Sequence, residues 1–213
     1  AKDDPSKAPK PDFKLDALVP VVRGQMRCRM HAHRSDDILT AISIAEEYNL
    51  DYVIEHCTEG FKIKDVLNEK HVKCVVGPHL TSPSKLEIHN RTMDNPGILS
   101  KEENITLCLT ADTGSQTSVL PMTIGFFIRR GLSFEDAIKG VTINAAKVLQ
   151  LDDRIGSLEA GKCADFFLVD SRRLELAGAG ESPADVLATV GLRGPVDTTV
   201  VHGRVVVREG KLC

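Results

Sequence analysis

Three side chains, His31, His56 and Asp112, could bind a metal ion or move a proton, and each follows a short apolar run. Neutral imidazoles suit a divalent metal such as zinc, and a carboxylate can bind the ion or take a proton from water. Each residue also has a structural interpretation. A lone histidine at a strand end more often forms a hydrogen bond to the backbone than binds a metal, and an aspartate in a turn before glycine is common. The prediction of a metal site therefore depends on all three residues occurring together.

Four apolar or alternating runs, at residues 26–31, 52–56, 72–77 and 105–110, predict strands that could position these side chains. Helical patterns separate them, at 35–48, at 63–70 and, broken at Asn95-Pro96-Gly97, at 84–103. Residues 13–22, 120–130 and 134–149 also predict helices, with Ser35 and Ser133 as N-caps and Gly131 as a stop. Repeated strand–helix units predict a parallel sheet covered by helices. In a parallel barrel, the carboxyl ends of the strands collect catalytic groups.

The pattern changes near Leu151. Short strands are predicted at 164–170, 198–202 and 204–209, and His202-Gly203 predicts a tight turn between the last two. We therefore predict three parts: a flexible lead-in at 1–12, a partial (β/α) barrel at 13–150 and a small β-rich segment at 151–213.

Composition narrows the functional class. The chain has 213 residues, 42% of them hydrophobic and 27% charged, with a net charge of −3. These values predict a soluble globular protein with no general attraction to nucleic acid or to anionic membranes. The N-terminal residues lack the apolar core of a signal peptide, and none of the six cysteines forms a C-x-x-C pair. We therefore expect a cytoplasmic protein with reduced thiols.

Three further residues are predicted to contact a small-molecule substrate: His33, Arg34 and His79. His33 faces the same way as His31 only if the strand continues. Arg34 could bind a substrate carboxylate or could pair with a neighbouring aspartate, and His79 is equally well explained as a loop histidine. Lys85 and Arg91 are interpreted as mainly solvated.

The segments HAHRSDDI at 31–38, IEH at 54–56 and GPHLTSPSK at 77–85 resemble the metal-dependent amidohydrolase superfamily. TINAAKVL at 142–149 and GSLEAGKCAD at 156–165 are similar to the passage from barrel to β-sandwich in these enzymes. The nearest branch is the imidazolonepropionase-like and prolidase-like one. The resemblance implies that His31 and His56 are the metal ligands of strands five and six, and that Asp112 is the strand-eight ligand and base.

No His-x-His motif precedes this region, although family members carry one on their first strand and many add a bridging lysine on the fourth. The resemblance therefore implies the C-terminal half of an α/β, TIM-like (β/α)8 barrel, strands five to eight, followed by part of a β-sandwich. Weak zinc retention is expected. So is assembly, either as a homo-oligomer or by pairing with a missing N-terminal half.

The implied function is metal-dependent hydrolysis of a C–N bond in a cyclic amide, an amidine or a peptide-like substrate, with Asp112 taking a proton from the attacking water. A non-catalytic or partner-requiring half-barrel subunit is the alternative. A deaminase-type member is a further one, although many such enzymes place Glu where Arg34 stands. No Gly-rich phosphate loop follows any predicted strand, which argues against a nucleotide-binding domain.

Overall fold

A computed structural model describes residues 10–82, 85–170, 172–173, 176 and 194–213. The first nine residues of the predicted lead-in, and residues 83–84 of the GPHLTSPSK segment, lie outside the described residues. The helices run in chain order as α1 Phe13–Asp16, α2 Val19–Val22, α3 Ser35–Glu47, α4 Lys64–Glu69, α5 Asn95–Leu99, α6 Gly114–Thr117, α7 Leu120–Arg129, α8 Phe134–Val141 and α9 Ile143–Leu149. The strands are β1 Cys28–Ala32, β2 Tyr52–His56, β3 Lys73–Val76, β4 Thr106–Leu109, β5 Phe166–Leu168, β6 Thr198–Val201, β7 Arg204–Arg208 and β8 Lys211–Leu212.

Strands β1 to β4 form one parallel sheet in sequence order, as the strand–helix rhythm predicts. In the register of the first pair, Ala32 lies opposite His56. The carboxyl ends of neighbouring strands therefore meet at one edge of the sheet, and the residues that follow them are brought together there.

One face of this sheet, which we call the helix-covered face, carries the main hydrophobic core. Ile54, Val76 and Leu107 point into it from the strands, and Leu67 and Phe127 pack against them from α4 and α7. These side chains are almost fully buried. Alternation along each strand places the intervening residues on the opposite face, where Val53, Val75 and Cys108 form a smaller cluster with Val148 of α9.

Four local predictions about the helices need correction. The helix predicted at residues 13–22 is two separate four-residue helices, α1 and α2. Ser35 is not an N-cap: it is the first residue of α3, and the cap position belongs to Arg34, which makes no side-chain capping bond. Asn95-Pro96-Gly97 begins α5 rather than interrupting a helix, since proline suits a first helical turn. The predicted 134–149 helix breaks at Thr142, whose φ and ψ of −123° and −96° are not helical.

Ser133 caps α8 as predicted, because its hydroxyl oxygen accepts the backbone N–H of Asp136. Glycine also ends α7 as expected: Gly131 follows the helix with a φ of +103°.

Strands β5 to β8 form a separate antiparallel sheet. Strands β6 and β7 are joined by the predicted tight turn at His202 and Gly203, and the φ values of these residues, +48° and +74°, are those of a type I′ hairpin turn. The short strand β8 was not predicted from the sequence. All three side chains of β5 are exposed, so this sheet buries little apolar surface in the described part of the chain.

Within the described ranges, no helix has the length and apolar character needed to cross a membrane. The six cysteines are free thiols.

Candidate metal centre

Three histidine rings meet at the carboxyl edge of the parallel sheet. His31 lies near the end of β1, His33 follows that strand directly, and His56 ends β2. The ring centroids of His31 and His56 are 4.4 Å apart, and the ring of His33 stacks on that of His56 at 4.5 Å. His33 and His56 are 7% and 8% exposed, whereas His31 is open to solvent. The cluster is therefore buried on one side and accessible on the other.

Hydrogen bonds fix two of the rings. His56 Nδ1 donates to the carbonyl oxygen of Gly77 over 2.6 Å, which leaves its Nε2 with a free lone pair. His33 Nδ1 lies 2.7 Å from the hydroxyl of Thr58. Gly77 has to be glycine: its φ is +137°, and an added Cβ would lie 2.2 Å from the carbonyl oxygen of Thr110. That close approach holds the carbonyl that orients His56.

The surroundings of His33 disfavour its protonation. Burial, and then the neighbouring rings of His56 and His31, lower the pKa of His33 to about 4. His33 is therefore neutral at pH 7, which is the form of histidine that binds a metal.

The donor atoms fit a divalent metal ion. One ring nitrogen from each of the three histidines lies within 4.8 Å of the others. Zinc holds nitrogen ligands at about 2.0–2.1 Å, so two ligands of one ion are at most about 4.2 Å apart. Small side-chain rotations close the difference. Three nitrogen donors in a partly open pocket match the number of protein ligands found in catalytic zinc sites.

Asp112 lines the same cavity, which has a volume of about 200 Å³. It follows β4 by three residues, its side chain is exposed, and its backbone N–H donates to Gln116 Oε1 over 3.2 Å. The structure thus brings His31, His56 and Asp112 to one cavity. The residue grouped with the two predicted ligands is His33, for which substrate contact was predicted, and Asp112 stands outside that group of three.

The other two predicted substrate residues lie away from this cavity. Arg34 makes a two-point hydrogen bond to Asp36, at 3.0 and 2.7 Å, and lines a neighbouring groove. His79 is 4% exposed and packs edge-on against Phe127, with their centroids 4.7 Å apart. Both ring nitrogens of His79 are buried without a hydrogen bond of normal geometry, and burial lowers its pKa to about 4.

A carboxylate that the sequence reasoning missed ties the two histidine-bearing loops together. Glu59, which is 4% exposed, accepts hydrogen bonds from the N–H and hydroxyl of Ser35, at 2.9 and 3.0 Å, and from the side chain of Asn90. Its own N–H donates to the carbonyl oxygen of His33. Burial alone would raise the pKa of Glu59, but the Lys62 ammonium and these hydrogen bonds lower it to about 2. In the sequence, the one sign of this role was the position of Glu59, an acidic residue directly after His56-Cys57-Thr58.

Asn95 supports the same loops from the core side. It is fully buried, its Oδ1 accepts the N–H of Phe61 over 2.9 Å, and its Nδ2 donates to the carbonyl oxygen of Cys57 over 3.0 Å. The backbone that follows His56 is therefore held by a side chain rather than by sheet pairing. The residue types around Asn95 in the sequence do not predict that it supports this backbone.

Comparison with known proteins gives one consistent family. The family model described as the amidohydrolase family matches residues 25–206. An amidohydrolase from Thermotoga maritima MSB8, known from its crystal structure, is 36% identical with a TM-score of 0.79 over 98% of this chain and 50% of that one. The chain thus spans about half the length of that solved relative.

Two curated relatives match shorter stretches. Hydroxydechloroatrazine ethylaminohydrolase of Pseudomonas sp. (strain ADP) is 43% identical over 76 residues, which are 36% of this chain and 16% of that protein. Imidazolonepropionase of Cupriavidus necator is 35% identical over 120 residues, 54% of this chain and 26% of that protein. Both matches cover less than a third of the relative's length.

Proposed function

The chain belongs to the amidohydrolase family, and from that premise we propose that it carries the carboxyl-terminal metal-binding half of a hydrolase that cleaves a C–N bond. The observation that carries the proposal is the cluster of His31, His33 and His56 in a cavity that Asp112 also lines. The substrate is proposed to be a small cyclic amide, amidine or peptide-like molecule.

His31, His33 and His56 are proposed as ligands of a divalent metal, zinc by preference. The donor set supports zinc because three imidazoles and a nearby carboxylate suit it better than they suit magnesium or calcium, which prefer oxygen ligands. When bound, the ion would act as a Lewis acid and make water a stronger nucleophile at neutral pH.

Asp112 is proposed as the general base. Its exposed carboxylate shares a cavity with the histidines, so it can take a proton from an attacking water and return it to the leaving nitrogen. The hydroxide part of the water joins the carbon, the C–N bond breaks and the nitrogen takes the proton to become an amine, which departs from an open-chain substrate and stays on the opened chain of a cyclic one.

The proposed function implies a particular assignment of the strands to a barrel. We propose that β1 to β4 are strands five to eight of a (β/α)8 barrel, that residues 13–150 form its partial barrel, and that residues 151–213 belong to a composite β-sandwich. Strands β1 and β4 are the two edges of the described parallel sheet. Unpaired edges favour association, so the remaining strands would come from another segment, another subunit or a second copy of the chain. A half-barrel that works only with such a partner is the alternative function.

A hydrolysis assay tests the proposal. The chain is incubated with a dipeptide, a cyclic amide and a cyclic amidine, with zinc and after chelation, and amine release is measured. Slow, zinc-dependent turnover is expected, with a loss of about 100-fold or more in Asp112→Asn, since about 100-fold is the lower end of the usual range for a general base. Asp153→Asn, which alters an exposed aspartate outside the cavity, is the matched control.

Turnover that persists in Asp112→Asn and after chelation would contradict the proposed mechanism. No turnover with any substrate, together with self-association in light scattering, would favour the partner-requiring subunit instead.

A further inference from the structure

A cysteine and a histidine meet in the β-rich part of the chain, outside the cavity that His31, His33 and His56 line. The sulfur of Cys163, which is half-buried, lies 3.1 Å from Nδ1 of His202. Either protonation form of this pair makes a hydrogen bond: the thiol donates to a neutral ring, or a protonated ring donates to a thiolate. Among the described residues, Cys163 is the one cysteine whose sulfur bonds to a histidine.

The backbone on both sides of the pair holds the ring beside the sulfur. The N–H of His202 donates to Oδ1 of Asp165 over 2.6 Å. The N–H of Gly203 donates to the carbonyl oxygen of Ala164 over 3.0 Å. The turn between β6 and β7 is therefore fixed against the two residues that directly follow Cys163.

The turn itself does not require a histidine. His202 has a φ of +48° and is followed by Gly203, which is the arrangement of a type I′ turn. Asn, Asp and Gly are the usual residues at the first central position of such a turn. An imidazole at this position adds a group that can exchange a proton with a thiol near neutral pH.

The other cysteines of the chain provide the comparison. Cys57, Cys74 and Cys108 are buried, and burial raises the pKa of Cys108 to about 11. A buried thiol with a raised pKa yields little thiolate, which is the nucleophilic form. Cys213 is exposed, and no histidine of the described residues bonds to its sulfur. Exposure alone would therefore make Cys213 more reactive than the half-buried Cys163.

We propose that Cys163 and His202 form a reactive-thiol site that accepts a mixed disulfide from a small-molecule disulfide. His202 takes the proton of Cys163, and the resulting thiolate attacks one sulfur of the small disulfide. A new S–S bond forms, the original S–S bond breaks, and the departing thiolate takes the proton from the imidazolium. Cys163 is thereby oxidised and the departing sulfur is reduced, so no further oxidant is needed. The site is independent of the function proposed above, because neither residue lines the cavity of the histidine cluster.

The competing role for this contact is structural, as a link that only fastens the hairpin. Substitution separates the two roles. His202→Asn removes the imidazole and keeps a residue that suits the turn, since Asn-Gly is a preferred type I′ pair. His71→Asn is the matched control, because His71 is also exposed with a positive φ but lies just before β3.

Reaction of the reduced chain with glutathione disulfide at neutral pH tests the proposal. Mass spectrometry of peptides follows the glutathione adduct on each cysteine over time, and circular dichroism verifies the fold of each variant. We expect Cys163 to react about fivefold faster than Cys213, because a larger thiolate fraction outweighs a lower intrinsic nucleophilicity. His202→Asn should reverse this order. His71→Asn should leave the rate at Cys163 within about twofold of the wild type, since it leaves the thiolate fraction unchanged.

The order of the two rates in the wild type tests the proposal without any variant, since exposure alone predicts the opposite order. Cys163→Ser should lose the fast adduct and keep the slow one on Cys213, which identifies the reacting sulfur. The proposal is overturned if Cys163 reacts no faster than Cys213 in the wild type. It is also overturned if folded His202→Asn keeps the fast reaction of Cys163.

Discussion

The two faces of the parallel sheet are built for different purposes. The helix-covered face buries a continuous apolar core that includes Ile54, Val76 and Phe127. The opposite face, which we call the histidine face, has Val53, Val75 and Cys108 as a small cluster under α9. Alternation along the strands places Arg29 and Glu55 there too, as an ion pair at 2.6 Å, with His31 beyond them at the carboxyl edge.

The comparison shows that apolar packing dominates the helix-covered face and that polar side chains able to bind a ligand lie on the histidine face. On the helix-covered face, nearly every side chain is fixed by its neighbours, and the buried polar group Asn95 has both of its hydrogen bonds made inside the protein. On the histidine face, charged and ring side chains remain partly exposed. Such a face can accept a ligand or a further layer of structure, whereas the covered face has no room for either.

The largest expected effect comes from breaking the polar support behind the helix-covered face. Asn95→Ala leaves the buried N–H of Phe61 and the carbonyl oxygen of Cys57 without a partner, and each unsatisfied group costs about 1–3 kcal/mol. We expect the free energy of unfolding in urea to fall by about 3–4 kcal/mol. Asn144→Ala, which removes one half-buried bond to the carbonyl oxygen of Leu107, should cost about 1 kcal/mol. Equal losses would mean that the two faces do not differ as described.

The second prediction concerns pH and the buried ring of His79. Its pKa is about 4 in the folded chain and 6.5 when unperturbed, with burial as the main cause and Arg91 as the second. Between these values the unfolded chain binds a proton that the folded chain does not, so stability should fall as pH drops from 6.5 toward 4. At about 1.4 kcal/mol per pH unit, the loss due to His79 reaches about 3 kcal/mol.

Urea unfolding of the wild type and His79→Leu at pH 7 and pH 4.5 measures this loss. The leucine variant should lose less stability on acidification by most of that amount. If both proteins lose the same amount, His79 is not held neutral by the core.

A smaller effect compares adjacent valines on the two faces. Val76→Ala removes two methyl groups from the large core, and we expect a loss of about 2–3 kcal/mol in the free energy of unfolding. Val75→Ala removes the same groups from the small cluster beside the polar residues, where we expect about 1 kcal/mol. A larger loss for Val75→Ala would show that the histidine face is the better packed of the two.

Much of the fold could be predicted because apolar runs of different periodicity are local signals. The four parallel strands, the Ser133 cap and the His202-Gly203 turn follow from residues a few positions apart, and the family resemblance is confirmed by the match over residues 25–206. The N-cap of α3 could not be predicted, because the group that binds the N–H of Ser35 is Glu59, from another loop.

The candidate site was predictable in position but not in composition. His31 and His56 follow from their strand ends, whereas the place of His33 depends on the backbone after β1 and on the bond to Thr58. Arg34 illustrates the opposite case. The sequence allowed two partners for Arg34, a substrate carboxylate or a neighbouring aspartate. Only the three-dimensional structure shows that Arg34 pairs with Asp36 and that Arg91 lines the cavity.

The most direct test of the account is the zinc affinity of the 213-residue chain, measured by competition with a chromophoric chelator. Each of His31→Ala, His33→Ala and His56→Ala should weaken binding by more than about 100-fold. Thr58→Ala, which removes only the support of His33, should weaken it by about tenfold. His71→Ala, at an exposed position outside the cavity, is the control. The account predicts one zinc ion per chain with this graded loss. A wild-type chain that binds no zinc, or histidine variants that match the control, would contradict it.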